Sequence, residues 1–120
     1  MTALIADDSK IMREILKEIL ASKGFLTIYE ALNGEEAVDM YEKYTPDITT
    51  LDITMDKCDG LKALQKIRGI NQDAKVLMIS ALGQDVIVKD AIKKGAGGYI
   101  VKPFTHEQII TALEKLILLN

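Results

Sequence analysis

The feature that most constrains this chain is an alternation repeated five times. A short apolar run is followed by a longer stretch of helical period. The runs cover residues 3–6, 26–29, 48–51, 76–79 and 99–101. Each is too short for a buried helix and has the length of a buried strand. Between the first two, Ile11, Met12, Ile15, Leu16, Ile19 and Leu20 recur at helical spacing, and Gly24 after Lys23 suits a C-cap. Asn33 followed by Glu36, and Thr105 followed by Gln108, have the spacing of capping boxes at helix starts. The second helix reaches Tyr44 and is stopped by Pro46; the third covers residues 61–70; the fourth covers 84–94 and stops at Gly95. The last carries an apolar face of Ile109, Ile110, Leu113, Leu116 and Ile117. Strands separated by helices pair in parallel, because a parallel pair needs a crossover. Right-handed crossovers then give an α/β fold, a doubly wound five-stranded parallel sheet with helices on both faces.

Composition sets the remaining bounds. A chain of 120 residues is expected to form one domain, spanning 1–120, with no room for a second. Hydrophobic residues are 48% of the chain and aromatic residues 5%, so the core is expected to be aliphatic. The net charge of -3 and the lack of a basic run longer than Lys93-Lys94 argue against a nucleic-acid partner. Cys58 alone cannot form an intrachain disulfide or a multi-cysteine metal site, and reads as a thiol of a reducing compartment. His106, with no second histidine, reads as a surface residue. No run has membrane-spanning length and no signal peptide is recognisable, so a cytoplasmic protein without membrane insertion is expected.

Ligands of doubly wound sheets bind beyond the carboxyl ends of the strands. Those ends carry Asp7 and Asp8 after the first run, Asp52 after the third, Ser80 after the fourth and Lys102 after the fifth. The second run ends in the less distinctive Glu30. Taken singly, each has a plain reading as a cap, a turn residue or a solvated charge. The combination asks for more. Clustered carboxylates repel one another unless a cation joins them, and hard oxygen donors suit Mg²⁺. A lysine and a hydroxyl beside that cation can hold phosphoryl oxygens, and a carboxylate can be the nucleophile that accepts phosphate.

The segments Ile5-Ala6-Asp7-Asp8-Ser9, Leu51-Asp52-Ile53-Thr54-Met55, Ile79-Ser80-Ala81 and Gly98-Tyr99-Ile100-Val101-Lys102-Pro103-Phe104 occur in this order across nearly the whole chain. With them the sequence resembles the receiver domain of response regulators, and especially the free-standing regulators of chemotaxis. The resemblance implies a flavodoxin-like strand order 2-1-3-4-5. It implies that Asp52 is the phosphoacceptor, served by a histidine kinase or a small phosphodonor. It also implies Mg²⁺ as cofactor, held by Asp8 directly, by Asp7 largely through water, by Asp52 and by the backbone carbonyl of Thr54. Lys102 and Ser80 would hold phosphoryl oxygens, and a cis peptide would join Lys102 to Pro103. Ser80 and Tyr99 would form the switch, Tyr99 turning inward as Ser80 moves towards the phosphoryl group. The surface of the fourth helix, fifth strand and fifth helix would then bind a target such as a flagellar switch component. A monomer, with a phosphatase as a further partner, completes what the resemblance implies. Catalysis would be limited to the chain's own phosphorylation and dephosphorylation.

Three positions depart from the family pattern. Asp56 stands where proline is usual, which implies a freer loop with an extra acid; Thr54 and Leu82 stand where polar or charged side chains are frequent. They bear on the lifetime of the phosphorylated state. The tail Leu116-Ile117-Leu118-Leu119 is apolar on more than one face, and an exposed part could contact a partner. Other readings are a phosphorelay intermediate of another two-component system, an FMN binder, a receiver that is never phosphorylated, or a haloacid-dehalogenase-type phosphatase. The phosphatase class places its nucleophile after the first strand in an Asp-x-Asp arrangement, whereas here adjacent acids stand there. Two acids after the first strand would repel an FMN phosphate.

Overall fold

The ten elements alternate strictly in a computed structural model that describes residues 1–118. They are β1 (Thr2–Ala6), α1 (Lys10–Ser22), β2 (Thr27–Ala31), α2 (Gly34–Tyr44), β3 (Ile48–Leu51), α3 (Gly60–Ile70), β4 (Val76–Ser80), α4 (Asp85–Lys93), β5 (Gly98–Val101) and α5 (His106–Leu118). All strand pairs are parallel and the sheet order is β2-β1-β3-β4-β5. The order reverses between β1 and β3, so the carboxyl ends of these two strands border the crevice where such sheets bind ligands.

Two cores lie on the two faces of the sheet. Leu4, Ala6, Leu51, Val76 and Met78 face Ala37 and Tyr41 of α2, Ala63, Leu64 and Ile67 of α3, and Ala91 of α4. Ala3, Ile5, Ile48, Leu77 and Ile79 face Leu16, Ile19 and Leu20 of α1, and Ile109, Leu113 and Leu116 of α5. Alternate residues of each inner strand thus serve opposite cores, which is why β1 and β4 read as unbroken apolar runs.

Side-chain caps start four of the helices, at Asn33 and Thr105 as predicted and at Ser9 and Asp59 besides. Ser9 accepts from the Met12 N–H, Asn33 from Glu36 and Asp59 from Lys62. At α5, Thr105 Oγ1 accepts from the Gln108 N–H while Gln108 Oε1 accepts from the Thr105 N–H, a reciprocal box. At α2 the box is displaced, because Glu36 reaches past the cap to the Leu32 N–H.

Three expectations need correction. β2 begins at Thr27 rather than Leu26 and continues through Glu30 to Ala31. Leu26 is 90% exposed, because Phe25 takes the buried place at this turn. On α1, Ile11 and Ile15 face solvent, while Arg13 shares the buried face with Leu16 and Leu20. Cys58 is buried under α2, where a Cβ at Gly34 would lie 1.9 Å from its carbonyl oxygen. The loop containing Asp56 is not free either. The Met55 and Gly60 N–H groups both donate to the Ile53 carbonyl, and the Cys58 N–H donates to the Asp56 carbonyl. His106 is exposed, as expected. In the tail, Leu116 is buried and Leu118 exposed, and Leu119 lies outside the described residues. No helix among the described residues is long and apolar enough to cross a membrane.

Candidate functional site

The carboxyl ends of β1, β3, β4 and β5 bring five of the expected side chains to one rim. Asp7, Asp8 and Asp52 each offer a carboxylate oxygen, and these atoms lie within 4.8 Å of one another. Asp7 and Asp52 are buried, and Asp8 is exposed at the mouth. Asp7 Oδ1 accepts from the Ser9 N–H at 2.9 Å, and Asp52 Oδ1 from the Thr54 N–H at 3.3 Å. Thr54 itself is exposed beside Asp52.

Lys102 reaches this rim from the end of β5. Its ammonium donates to Asp7 Oδ2 at 2.8 Å and to Asp52 Oδ2 at 3.1 Å. Burial alone would lower the lysine pKa, but the hydrogen bonds and charges of Asp7 and then Asp52 outweigh it and hold it above its ordinary value. Lys102 therefore stays charged at neutrality, and one cation serves two buried acids. The peptide from Lys102 to Pro103 is cis.

The other two residues meet at the loop after β4. Ser80 is fully buried, and its hydroxyl accepts from the Leu82 N–H at 3.2 Å. Tyr99 is half-buried on β5, and its hydroxyl donates to the Leu82 carbonyl. Leu82 is thus held by its N–H from one side and by its carbonyl from the other. Burial raises the Tyr99 pKa, the Ser80 hydroxyl pulls it back, and the Asp52 charge raises it further.

Some of what shapes the rim has no motif in the sequence reading. A Cβ at Gly60 would lie 2.0 Å from the Asp52 carbonyl oxygen, so α3 can begin against the end of β3 only with glycine there. Behind Asp7, the Arg13 Nη1 donates to the Asp7 carbonyl at 2.8 Å and its Nε to Glu30 Oε1 at 3.0 Å. Lys17 takes the other Glu30 oxygen at 3.1 Å. Burial would raise the Glu30 pKa, but Lys17 and Arg13 together hold it below 4.5. Glu30 is therefore part of a charged triad rather than an indistinct strand end. A signal for Arg13 was present: it lies three residues before Leu16 and seven before Leu20, on one helical stripe.

The donor set suits a hard divalent cation such as Mg²⁺, having only oxygens and a surplus of negative charge. The ammonium and the hydroxyl beside it are donors suited to an anion with several oxygens.

Comparison with known proteins agrees with this arrangement. The family model for the response regulator receiver domain matches residues 3–114. The chemotaxis protein CheY of Listeria monocytogenes is 51% identical over 112 residues, covering 93% of this chain and 94% of its own. The chemotaxis protein CheY of Bacillus subtilis is 44% identical over 114 residues, covering 95% of each chain. Among solved structures, a chain of the CheX-CheY-BeF3-Mg²⁺ complex from Borrelia burgdorferi superposes with a TM-score of 0.95. It is 41% identical, over 98% of this chain and 90% of that one.

Proposed function

Since the chain belongs to the response regulator receiver domain family, we propose that it is a phosphorylation switch whose acceptor is Asp52. The observation that carries this reading is the Lys102 ammonium, which donates at once to Asp7 and Asp52 where three carboxylates converge. Mg²⁺ held by Asp7, Asp8, Asp52 and the Thr54 carbonyl would neutralise charge on the phosphoryl group. Asp52 Oδ1 is occupied by the Thr54 N–H, so Oδ2, which accepts from the Lys102 ammonium, is the oxygen that attacks phosphorus. The bond from Asp52 to phosphorus forms as the bond to the histidine nitrogen of a kinase, or to a small donor's oxygen, breaks. Its electron pair leaves with the donor. Lys102 keeps its proton and moves onto a phosphoryl oxygen, and the Ser80 hydroxyl proton is free to donate to another.

Ser80 links the chemistry to the surface. When its hydroxyl turns to the phosphoryl group, the Leu82 N–H loses its partner, and the carbonyl that anchors Tyr99 shifts with it. The next element, α4, is held by one buried residue, Ala91, and has no side-chain cap, so it follows the loop at low cost. Phosphorylation works as a population shift towards the arrangement that best satisfies the phosphoryl oxygens. The responding face exposes Val86 (79%), Ile92 (48%) and Val101 (42%). A groove of about 770 Å³ beside it runs along β5 and α5 past Tyr99, Thr105 and Gln108. We assign this face to a target protein. The named relatives are chemotaxis proteins, which favours chemotaxis; we assign the donor role to a histidine kinase and the target role to a flagellar switch component. The neighbour solved in complex with CheX supports a further protein partner.

Acetyl phosphate with Mg²⁺ should label the protein with an acid-labile phosphoryl group, read by intact mass, and Asp52→Asn should abolish the label. Wild-type labelling of that variant would place the acceptor elsewhere. Sustained turnover of a phosphomonoester would favour the phosphatase reading instead.

A further inference from the structure

We propose that Arg13 is a positioning residue for the acidic pocket, fixing the peptide between Asp7 and Asp8 and through it both carboxylates. The inference rests on the reading of that pocket as an Mg²⁺ site.

Arg13 lies in the first turn of α1, where its N–H closes the turn on the Ser9 carbonyl. Helical side chains lean towards the N-terminus, which carries the guanidinium back under the end of β1. It is buried there, with a side chain 10% exposed, and a buried cation needs a partner. Glu30 is that partner, fixed on β2 opposite Ile5. A guanidinium serving only as counter-ion would present two nitrogens to the two oxygens of the carboxylate. Here that fork is split. Lys17 holds the second Glu30 oxygen, and the Nη1 of Arg13 goes instead to the neutral Asp7 carbonyl.

That carbonyl belongs to the peptide joining the two acids. The Asp7 N–H is held by the Ala31 carbonyl, and the Asp7 carboxylate by Ser9 and Lys102. The Asp8 carboxylate has no hydrogen bond among the described residues, so the orientation of its backbone is what aims it. Glu30 fixes the guanidinium, the guanidinium fixes the 7–8 peptide, and the peptide directs Asp8. Only arginine does this, because a lysine ammonium has no rigid fork to span a carboxylate and a carbonyl.

Position and charge predict opposite signs for the loss of Arg13. Removing a cation near a cation site should by charge alone tighten Mg²⁺ binding. Losing the hold on Asp8 should weaken it, about tenfold to a hundredfold, as for other outer partners of metal ligands. A bond that merely satisfies a buried carbonyl would leave the affinity unmoved.

The test is an MgCl2 titration followed by amide NMR shifts on wild type, Arg13→Met, Arg13→Lys and Glu30→Gln. Both Arg13 variants should bind Mg²⁺ at least about tenfold more weakly. Arg13→Lys keeps the buried charge paired with Glu30, which secures a folded sample if Arg13→Met does not fold. Glu30→Gln retains an acceptor for Nε and should stay within about threefold of wild type, given that the contact with Asp7 persists. Arg13 variants that bind as tightly as wild type, or more tightly, overturn the proposal. So does an equal loss in Glu30→Gln, which would assign the effect to general loosening of α1 on β2. Failure of wild type itself to bind Mg²⁺ would instead overturn the metal reading.

Discussion

At the scale of single residues, the site is an arrangement of acids that outnumber their cation. Lys102 is 17% exposed in its side chain and serves two carboxylates, of which Asp7 is the more deeply buried. Lys102→Met should therefore cost about 2–3 kcal/mol in Mg²⁺-free buffer, measured by urea denaturation at neutral pH. Mg²⁺ should restore more stability to the variant than it adds to wild type, because it then relieves a repulsion that Lys102 otherwise relieves. Equal stability of the two proteins without metal would refute this account. Glu30 supports a separate test. Its folded-state pKa lies below 4.5, so its contribution is present above 4.5 and lost as the pH falls through the folded value. Glu30→Gln should be less stable than wild type at neutrality, and the gap should close on acidification below 4.5. A gap that persists unchanged at low pH would mean that the ion triad is not its source.

At the scale of elements, the polar interior of β3 stands out. Thr49 and Thr50 are buried on opposite faces of a central strand, and neither hydroxyl has a partner among the described residues. Thr49→Val replaces an unpaired hydroxyl by a methyl group of similar size. It should raise stability by about 1 kcal/mol and Tm by roughly 4 °C. A lower Tm would show that the hydroxyl is satisfied in solution. The same strand shows why so much of the fold was legible. Residues 48–51, buried on both faces, form a stretch of three β-branched residues and a leucine whose boundaries coincide with the observed strand. β2 is an edge strand, half-exposed along its length, so its limits blur and the apolar pair Phe25-Leu26 draws its expected start one residue early. The site was legible for a related reason: its side chains stand immediately after the strands that place them. Gly60 and Gly34 were not, because each lies against a backbone oxygen distant in the chain, and such contacts leave no periodicity to read; for Arg13 the helical stripe marks its burial but not the carbonyl it binds. Asp56 misled because its loop is held by main-chain bonds, one of them to its own carbonyl, on which the identity of its side chain has no bearing.

At the scale of the whole molecule, a cation that binds only the assembled rim must stabilise the fold. At ten times its dissociation constant, Mg²⁺ should contribute about 1.4 kcal/mol, a rise in Tm of roughly 5 °C for a domain of this size. An unchanged melting curve at millimolar Mg²⁺ would count against the site. The rim that receives the cation is drawn from Asp7, Asp52, Ser80 and Lys102, each from a different strand, while the turns that join helix to strand lie at the other end of the sheet. At that far end Met1, Pro46, Asn71, Lys75 and Ile117 border one cleft, so the first residue and the last helix lie close together there. The order in which the strands are strung on the chain is therefore separable from what their ends do. A ring closed between the first strand and the last helix, and reopened at the turn before β4, would keep every reactive side chain at its own strand end. A change confined to the distal turns therefore leaves the chemistry at the opposite rim where it is.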